Sequence, residues 1–378
     1  MKLVASSGLW TTGSSTDALP LVAVLELDGA VLSWVVDDPA GADAAHITFT
    51  DPARADWLWR LVGESGHRAV AAAAARPADS PLTVDLAVVD VVAGSLDRLR
   101  RLAIGHWLRR WWPASRLDGI TELDPAILDA EIAVQTNAAE EFFGDGTLDS
   151  GIAELIEPQA AALRAQVAYG DPRVVDLVRA CADLAEDIGV QAPGWPELRA
   201  ALDDSGARLA APMSTRRDDY ALAAGAADRR TSDAVAAGTA SITWAGVPPG
   251  IFDASEDTIG WAVAGDGPHA VALVRTAILG PGSPADIPVR LRCGTLEAVG
   301  SLDRSGYAAL PILNADGTPA TRSAAWDQDW STTIVTVGVE VDETEQTRQR
   351  VRRYARRRLA EPAPDAYLAE ILAAESDY

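Results

Sequence analysis

The chain has 378 residues, of which 48% are hydrophobic and 23% charged, as in an average globular protein. Its formal net charge of -23 argues against a general nucleic-acid binder, because such proteins need a basic surface to neutralise phosphates. No apolar run approaches the roughly 18 residues that a membrane span requires, and the N-terminus lacks the apolar core of a signal peptide. We therefore expect a cytoplasmic protein with no membrane contact.

The choice of basic residues limits both the source and the chemistry of the protein. Lys2 is the only lysine among 32 basic residues, so the others are arginines, which favours a GC-rich bacterial genome such as those of actinobacteria. Walker-type ATPases, protein kinases and Schiff-base enzymes all use a lysine in the active site. The single lysine beside the N-terminus argues against these three classes.

The first region, residues 1–115, predicts a small mixed α/β domain. Asp28-Gly29 between two apolar runs predicts a hairpin, and "AHITFTD" predicts a third strand. Residues 95–113, which begin with Ser95 as a potential N-cap and end at a proline, predict a helix. Strands and helices alternate along this region, as in α/β and α+β domains.

That helix is rich in tryptophan and arginine. Leu99, Ala103, Trp107 and Trp111 form one i, i+4 row, while most arginines fall on other faces. We expect a core helix whose arginines pair with nearby acids, because the chain's charge disfavours the alternatives of a membrane surface or a nucleic acid. Tryptophan and arginine are also enriched at interaction hot spots. The candidate interaction residues are Trp107, Arg109, Arg110, Trp111 and Trp112.

The second region, residues 116–215, predicts a helical domain. Its best-marked helix begins with Asp171 as the N-cap and Pro172 in the first turn, and it ends at Gly189. Apolar residues recur at intervals of three and four, as in helices that pack on one another. A stretch of small residues at 216–235 predicts a linker.

The third region, residues 236–342, predicts an antiparallel β-sandwich, because short apolar runs alternate with Gly- and Pro-rich turns. The segment "VRLRCGTLEAVGSLDRSGYAALPI", residues 289–312, combines a strand, an Asp-x-x-Gly turn and a strand of alternating small and apolar residues. It is similar to segments of Ig-like and transthyretin-like sandwich modules. This resemblance covers about thirty residues and implies a fold class only.

The motif "WDQDW" contributes further candidate residues, namely Trp326, Asp327, Asp329 and Trp330. If the motif is extended, both aspartates lie on one face, and the flanking aromatic rings would suit a carbohydrate or peptide site. The simpler alternative is a sandwich edge or loop whose tryptophans anchor the core.

The C-terminal part, residues 343–378, predicts a basic helix and a short tail. Seven of the eleven residues from Arg348 to Arg358 are arginine, and the apolar spacing is poor. We expect a solvent-exposed docking arm for the protein's own acidic surface, an acidic partner or RNA. The tail "AYLAEIL" predicts a short amphipathic segment that inserts into a partner's groove. The candidate residues are Arg352, Arg353, Arg356, Arg357, Tyr367 and Leu368.

The sequence lacks the common catalytic, phosphate-binding and metal-binding motifs. It has no phosphate-binding loop, no nucleophile elbow and no spacing that supplies three or four metal ligands. We therefore expect no catalytic residue, cofactor or essential metal. The sequence favours a non-catalytic interaction or scaffold protein of a bacterial intracellular assembly, and homo-oligomers remain open. The alternatives are a carboxylate-based hydrolase, with its site at the junction of the sandwich and the helical region, and a small-ligand sensor.

Overall fold

The computed structural model of the protein describes residues 1–6, 8–13, 19–38, 45–76, 82–86, 89–144, 148–208 and 234–376. These residues form a mixed α/β structure with several antiparallel sheets, which confirms the predicted fold class at this level. The chain divides into two compact units. The first comprises Met1–Arg110, Leu123–Pro212 and Arg353–Tyr378, and the second comprises Trp111–Glu122 and Met213–Arg352.

The first unit contains a six-stranded antiparallel sheet with the order β3-β4-β5-β2-β1-β6. Its strands are β1 (Lys2–Ser6), β2 (Leu9–Thr11), β3 (Val22–Leu27), β4 (Ala30–Val35), β5 (His46–Phe49) and β6 (Thr83–Asp85). The predicted hairpin is confirmed, because β3 and β4 pair with Leu27 opposite Ala30. Between them, Gly29 has a φ of 74°, which glycine adopts without a steric penalty.

Helices make up most of the rest of the first unit. Besides the C-terminal helices described below, they are α1 (Trp59–Ala74), α2 (Asp97–Trp111), α3 (Pro125–Asn137), α4 (Leu148–Ile156), α5 (Ala160–Tyr169), α6 (Pro172–Asp187) and α7 (Trp195–Arg208). The predicted limits of α6 are confirmed: the Asp171 carboxylate accepts the Arg173 N–H, and Gly189 follows the helix with a φ of 76°. Among the helices in the described ranges, none combines the length and apolar character that a membrane crossing demands.

The second unit is mainly antiparallel β-structure. Its strands are β7 (Ala236–Ala240), β8 (Ile259–Asp266), β9 (His269–Thr276), β10 (Pro288–Cys293), β11 (Leu296–Ser301), β12 (Tyr307–Pro311) and β13 (Ile334–Val337). They form one sheet of order β12-β9-β8-β7 and another of order β11-β10-β13. Buried and less buried side chains alternate along β9 and β10, as the pleat requires. The predicted linker at 216–235 lies outside the described residues, apart from its last two.

The motif "WDQDW" is not extended, so the condition under which its two aspartates would share one face is not met. Asp327 ends helix α8 (Arg322–Asp327), whereas Asp329 caps a short 3-10 helix by accepting the Ser331 N–H at 2.9 Å. Two local capping interactions, from Thr321 and Asp329, thus fix two helical turns in place of a strand. Trp330 is buried, whereas Trp326 is 58% exposed.

The basic C-terminal helix α9 (Glu345–Ala360) is not the solvent-exposed arm that the sequence predicted. Val351, Tyr354 and Ala355 form a stripe that is at most 4% exposed. Arg352 and Arg358 are also buried, at 5% and 4% exposure. The prediction failed because three well-spaced apolar residues are enough to bury one face of a helix, provided that the arginines on that face find carboxylates.

The C-terminal tail is part of the first unit and packs on α2, which corrects the expectation that it inserts into a partner's groove. Tyr367, just before helix α10 (Leu368–Ser376), is fully buried, and its hydroxyl donates to the Arg101 carbonyl of α2 at 2.8 Å. The ring lies over Gly105, where a Cβ would collide with the Tyr367 hydroxyl and approach Ile132 Cγ1 to 2.9 Å. A glycine in the middle of α2 therefore makes room for the tail.

We predict that Gly105→Ala destabilises the protein by about 1–3 kcal/mol, because an added methyl group overpacks this contact. Alanine is otherwise the better helix former by about 1 kcal/mol. Gly151→Ala in α4 is the matched control, since a Cβ there meets nothing within 4 Å. Urea denaturation of both variants measures the difference. Equal or greater stability of Gly105→Ala would contradict the packing of Tyr367 against α2.

Candidate functional site

The first unit carries a cleft of about 980 Å³, which we call the arginine cleft. It lies where the start of α2, the end of α3, the end of α9 and the segment before α10 come together. Its lining residues are Val36, Asp97, Arg98, Arg100, Arg101, Gln135, Ala138, Tyr354, Arg357, Arg358, Glu361, Pro362, Ala363, Pro364 and Asp365. The two arginine-rich helices of the sequence thus contribute to one site.

Three arginines reach the cleft from the first turns of α2. Arg98 Nη1 donates to the Ala138 carbonyl at 2.6 Å, and its side chain remains 57% exposed. Arg100 pairs with Asp365 at 2.7 Å, and Arg101 pairs with Glu131 of α3 at 2.7 Å. Residues 98, 100 and 101 are close in sequence, so their side chains follow one edge of the cleft around a single helical turn.

The end of α9 supplies two arginines in contrasting environments. Arg357 is exposed, and its guanidinium lies 5.5 Å from the centre of the Tyr354 ring, within the range of a cation–π contact. No ion pair to Arg357 occurs within the described part of the chain. Arg358 is buried, and its guanidinium nitrogens donate hydrogen bonds to neighbouring side chains, so it forms part of the cleft floor. The exposed guanidinium of Arg357 can instead bind a group from outside the protein.

Arg358 belongs to a buried pair with Glu370, which is fully buried in α10. Arg358 Nη2 donates to Glu370 Oε2 at 2.7 Å, and its Nε donates to the other carboxylate oxygen. Asp365 accepts a third hydrogen bond from Arg358 at 3.1 Å. Burial lowers the pKa of Arg358, but the bonds to Glu370 and the surrounding negative charge outweigh it and raise this pKa above its usual value.

Carboxylates also hold the start of α10 in place. Glu370 accepts the Tyr367 N–H at 2.9 Å, and Glu131 accepts the Leu368 N–H at 2.6 Å. Burial raises the pKa of Glu131, while the Leu368 N–H and the Arg101 charge oppose the rise. Together with the bonds of Asp365 to Arg100 and Arg358, these contacts hold the C-terminal half of the segment between α9 and α10, which forms one wall of the cleft.

The cleft concentrates arginines in a chain that carries -23. Five arginines and the carboxylates of Asp97, Glu361 and Asp365 line it, and Glu131, Glu141 and Glu370 pair with lining arginines. Two exposed guanidinium groups, those of Arg98 and Arg357, have no carboxylate closer than 3.6 Å among the described residues. They can attract an anionic group within about 8 Å at physiological ionic strength, the distance over which exposed charges are screened.

The predicted tryptophan face is partly a core element. Trp107 is 2% exposed, donates from its indole to the Pro20 carbonyl at 2.6 Å and meets the Tyr354 ring edge-on, which confirms the predicted core packing. Arg109 pairs with the buried Asp129 at 2.7 Å, also as predicted. Arg110, Trp111 and Trp112 are half-buried, and an interface role for this group stays a prediction.

The remaining predicted residues do not gather at the cleft. Of the candidates on α9, only Arg357 lines it; Arg352 bonds to Glu256 in the second unit, and Arg353 and Arg356 are exposed elsewhere on the helix. The candidates Trp326, Asp327, Asp329 and Trp330 belong to the second unit. Tyr367 and Leu368 fix the cleft wall from behind. The lining arginines of α2 were missed, although three arginines within four residues were visible in the sequence.

The described residues offer little for acid–base or metal chemistry. No group of three or more His, Cys, Asp or Glu side chains in the described ranges could hold a metal ion. Burial and the nearby Arg109 lower the pKa of His106 to about 4, so this imidazole is neutral at pH 7. Burial raises the pKa of the Cys181 thiol to about 12, which makes it a poor nucleophile.

Comparison with known proteins gives no family for this chain: no family model, no curated protein and no solved structure matches it.

We predict that Arg358→Met lowers the free energy of unfolding by about 3–5 kcal/mol, because it leaves Glu370 as an unpaired buried charge. The double variant Arg358→Met/Glu370→Gln removes both charges and keeps an acceptor for the Tyr367 N–H. It should therefore be more stable than Arg358→Met alone. Thermal and urea denaturation of the two variants and of Glu370→Gln complete the cycle. Additive effects of the two substitutions would show that the pair is not coupled.

Proposed function

We propose that the protein is a non-catalytic interaction or scaffold component of a bacterial cytoplasmic assembly, and that the arginine cleft binds its partner. One observation carries this proposal: arginines from α2 and α9, which are far apart in the sequence, line one cleft in a strongly acidic chain. Arginine suits such a role because its guanidinium binds carboxylates with paired, directional hydrogen bonds.

The burial of α9 changes how the partner is held. A mobile docking arm would have to become ordered on binding, which costs conformational entropy for each residue fixed. The backbone of the cleft wall is instead held by Glu370 and Glu131, so only the side chains of Arg98 and Arg357 have to become ordered when a ligand binds. Preorganisation of this kind lowers the cost of binding.

Further parts of the proposal concern the second unit and the assembly. We propose that its two antiparallel sheets form a sandwich of the Ig-like or transthyretin-like kind, on the resemblance of residues 289–312. A homo-oligomer is compatible with this function. The hydrolase and the small-ligand sensor stay predictions that no observation on the cleft favours.

The test is co-purification from the native cell with a charge-reversed cleft. Arg98→Glu/Arg357→Glu changes two side chains that are exposed, so the fold should be retained. Arg68→Glu/Arg164→Glu is the matched control, with the same charge change at exposed positions of α1 and α5 that do not line the cleft. We expect a partner protein that co-purifies with the unmodified chain and the control to be lost from the cleft variant.

Retention of every co-purifying protein by the cleft variant, at unchanged melting temperature, would contradict the proposed site. Equal loss from both variants would show that net charge, and not the cleft, governs the association. Rising salt should weaken the genuine contact, because exposed charges contribute to it.

A further inference from the structure

We infer that the ligand of the arginine cleft is an acidic peptide segment in which carboxylate side chains alternate with apolar ones. This inference rests on the proposed function and adds the chemical class of the partner's binding segment. It follows from how the cleft treats a carboxylate of its own chain, from which arginines remain available and from the apolar part of the lining.

Asp365 is an internal example of carboxylate binding. Its Oδ2 accepts from Arg100 at 2.7 Å, and its Oδ1 accepts from Arg358 at 3.1 Å, so one carboxylate bridges arginines of two helices. The Asp365 side chain is 22% exposed, which places this bridge at the cleft surface. The spacing between α2 and α9 thus already matches one carboxylate.

Arg98 and Arg357 provide the same chemistry to an outside group. Both are more exposed than Arg100 and Arg358, and Arg98 has a carboxylate partner only at 3.6 Å, in Glu141. Both guanidinium groups have N–H donors left for an incoming carboxylate, because Arg98 makes one hydrogen bond, to the Ala138 carbonyl, and Arg357 makes a cation–π contact with Tyr354. Arg101 lies beside them, 35% exposed, with its own bond to Glu131.

The remaining lining selects a peptide over a compact polyanion. Val36, Ala138 and the segment Pro362-Ala363-Pro364 give the cleft an apolar wall that would accept aliphatic side chains. Asp97 and Glu361 also line the cleft and would repel a ligand with dense negative charge, such as a polyphosphate or a nucleic-acid backbone. Carboxylates spaced along a peptide can face the arginines and avoid these two acids.

The size of the cleft agrees with this assignment. Its volume of about 980 Å³ lies at the upper end of the range for small-molecule sites, roughly 300–1,000 Å³, so a single inorganic anion would fill only a small part. A short peptide segment, with acidic and apolar side chains on alternate sides, would occupy both walls.

The experiment is fluorescence anisotropy with the full-length chain and a labelled decapeptide in which glutamates alternate with alanine and leucine. The control peptide carries glutamine at every glutamate. We expect the acidic peptide to bind, the glutamine peptide to bind at least about tenfold more weakly, and Arg98→Glu/Arg357→Glu to cause a similar loss that Arg68→Glu/Arg164→Glu does not.

Asp365→Asn provides a test with the opposite sign. Removal of the Asp365 charge leaves Arg100 without its carboxylate partner, while Arg358 keeps its bonds to Glu370. The acidic peptide should therefore bind severalfold more tightly than to the unmodified chain. A gain in affinity cannot arise from partial unfolding. An unchanged or lower affinity in this variant, with its melting temperature preserved, would overturn the assignment of Asp365 as an internal mimic of the ligand.

Other outcomes identify other ligands. If inorganic phosphate or pyrophosphate displaces the peptide at concentrations where acetate does not, the cleft is a phosphate site and the inference fails. Tighter binding of a single-stranded RNA oligonucleotide, lost in the cleft variant, would assign the cleft to nucleic acid. If no acidic peptide binds but the native partner still depends on Arg98 and Arg357, the proposed function stands and only the ligand class is wrong.

Discussion

The buried ion pair between Arg358 and Glu370 is the contact on which the organisation of the first unit depends. Two opposite charges can be removed from water only if each finds a partner of good geometry, because the desolvation of an unpaired ion costs several kcal/mol. The pair ties the end of α9 to α10, and Glu370 also accepts the Tyr367 N–H. Tyr367 in turn occupies the space above Gly105 in α2. The C-terminal tail is thereby a part of the core.

The arginine cleft is a consequence of this arrangement. The Arg358–Glu370 pair holds α9 and α10 together, so residues 361–365 lie between the two helices. In this position, Asp365 reaches Arg100 of α2. The arginines that line the cleft have positions set by buried contacts behind them, with only Arg98 and Arg357 extending outward. A site that attracts anions can therefore persist in a chain of charge -23 without any large movement on binding.

Features that depend on neighbouring residues were predictable from the sequence. The hairpin at Asp28-Gly29 and the limits of α6 at Asp171 and Gly189 follow from turn and capping rules that act over a few positions. The burial and the ion-pair partners of the arginines in α9 could not be predicted in this way. Arg348 bonds to Glu256, 92 positions away, and Arg100 bonds to Asp365, 265 positions away. The sequence does not show which distant carboxylates pair with these arginines. The buried helix α9 was therefore predicted to be exposed, and the cleft was not predicted.

The most direct test that Glu370 and Glu131 hold the start of α10 in place is native-state hydrogen exchange of the Tyr367 and Leu368 amides in the intact chain. These N–H groups donate to the Glu370 and Glu131 carboxylates, and not to a backbone carbonyl of a preceding helical turn. We expect them to exchange as slowly as amides in the middle of α3, because an arginine also holds each acceptor carboxylate, Arg358 in the case of Glu370 and Arg101 in the case of Glu131. Exchange at the rate of an unstructured peptide would contradict the structure of the cleft wall and, with it, the fixed site that the proposed function requires.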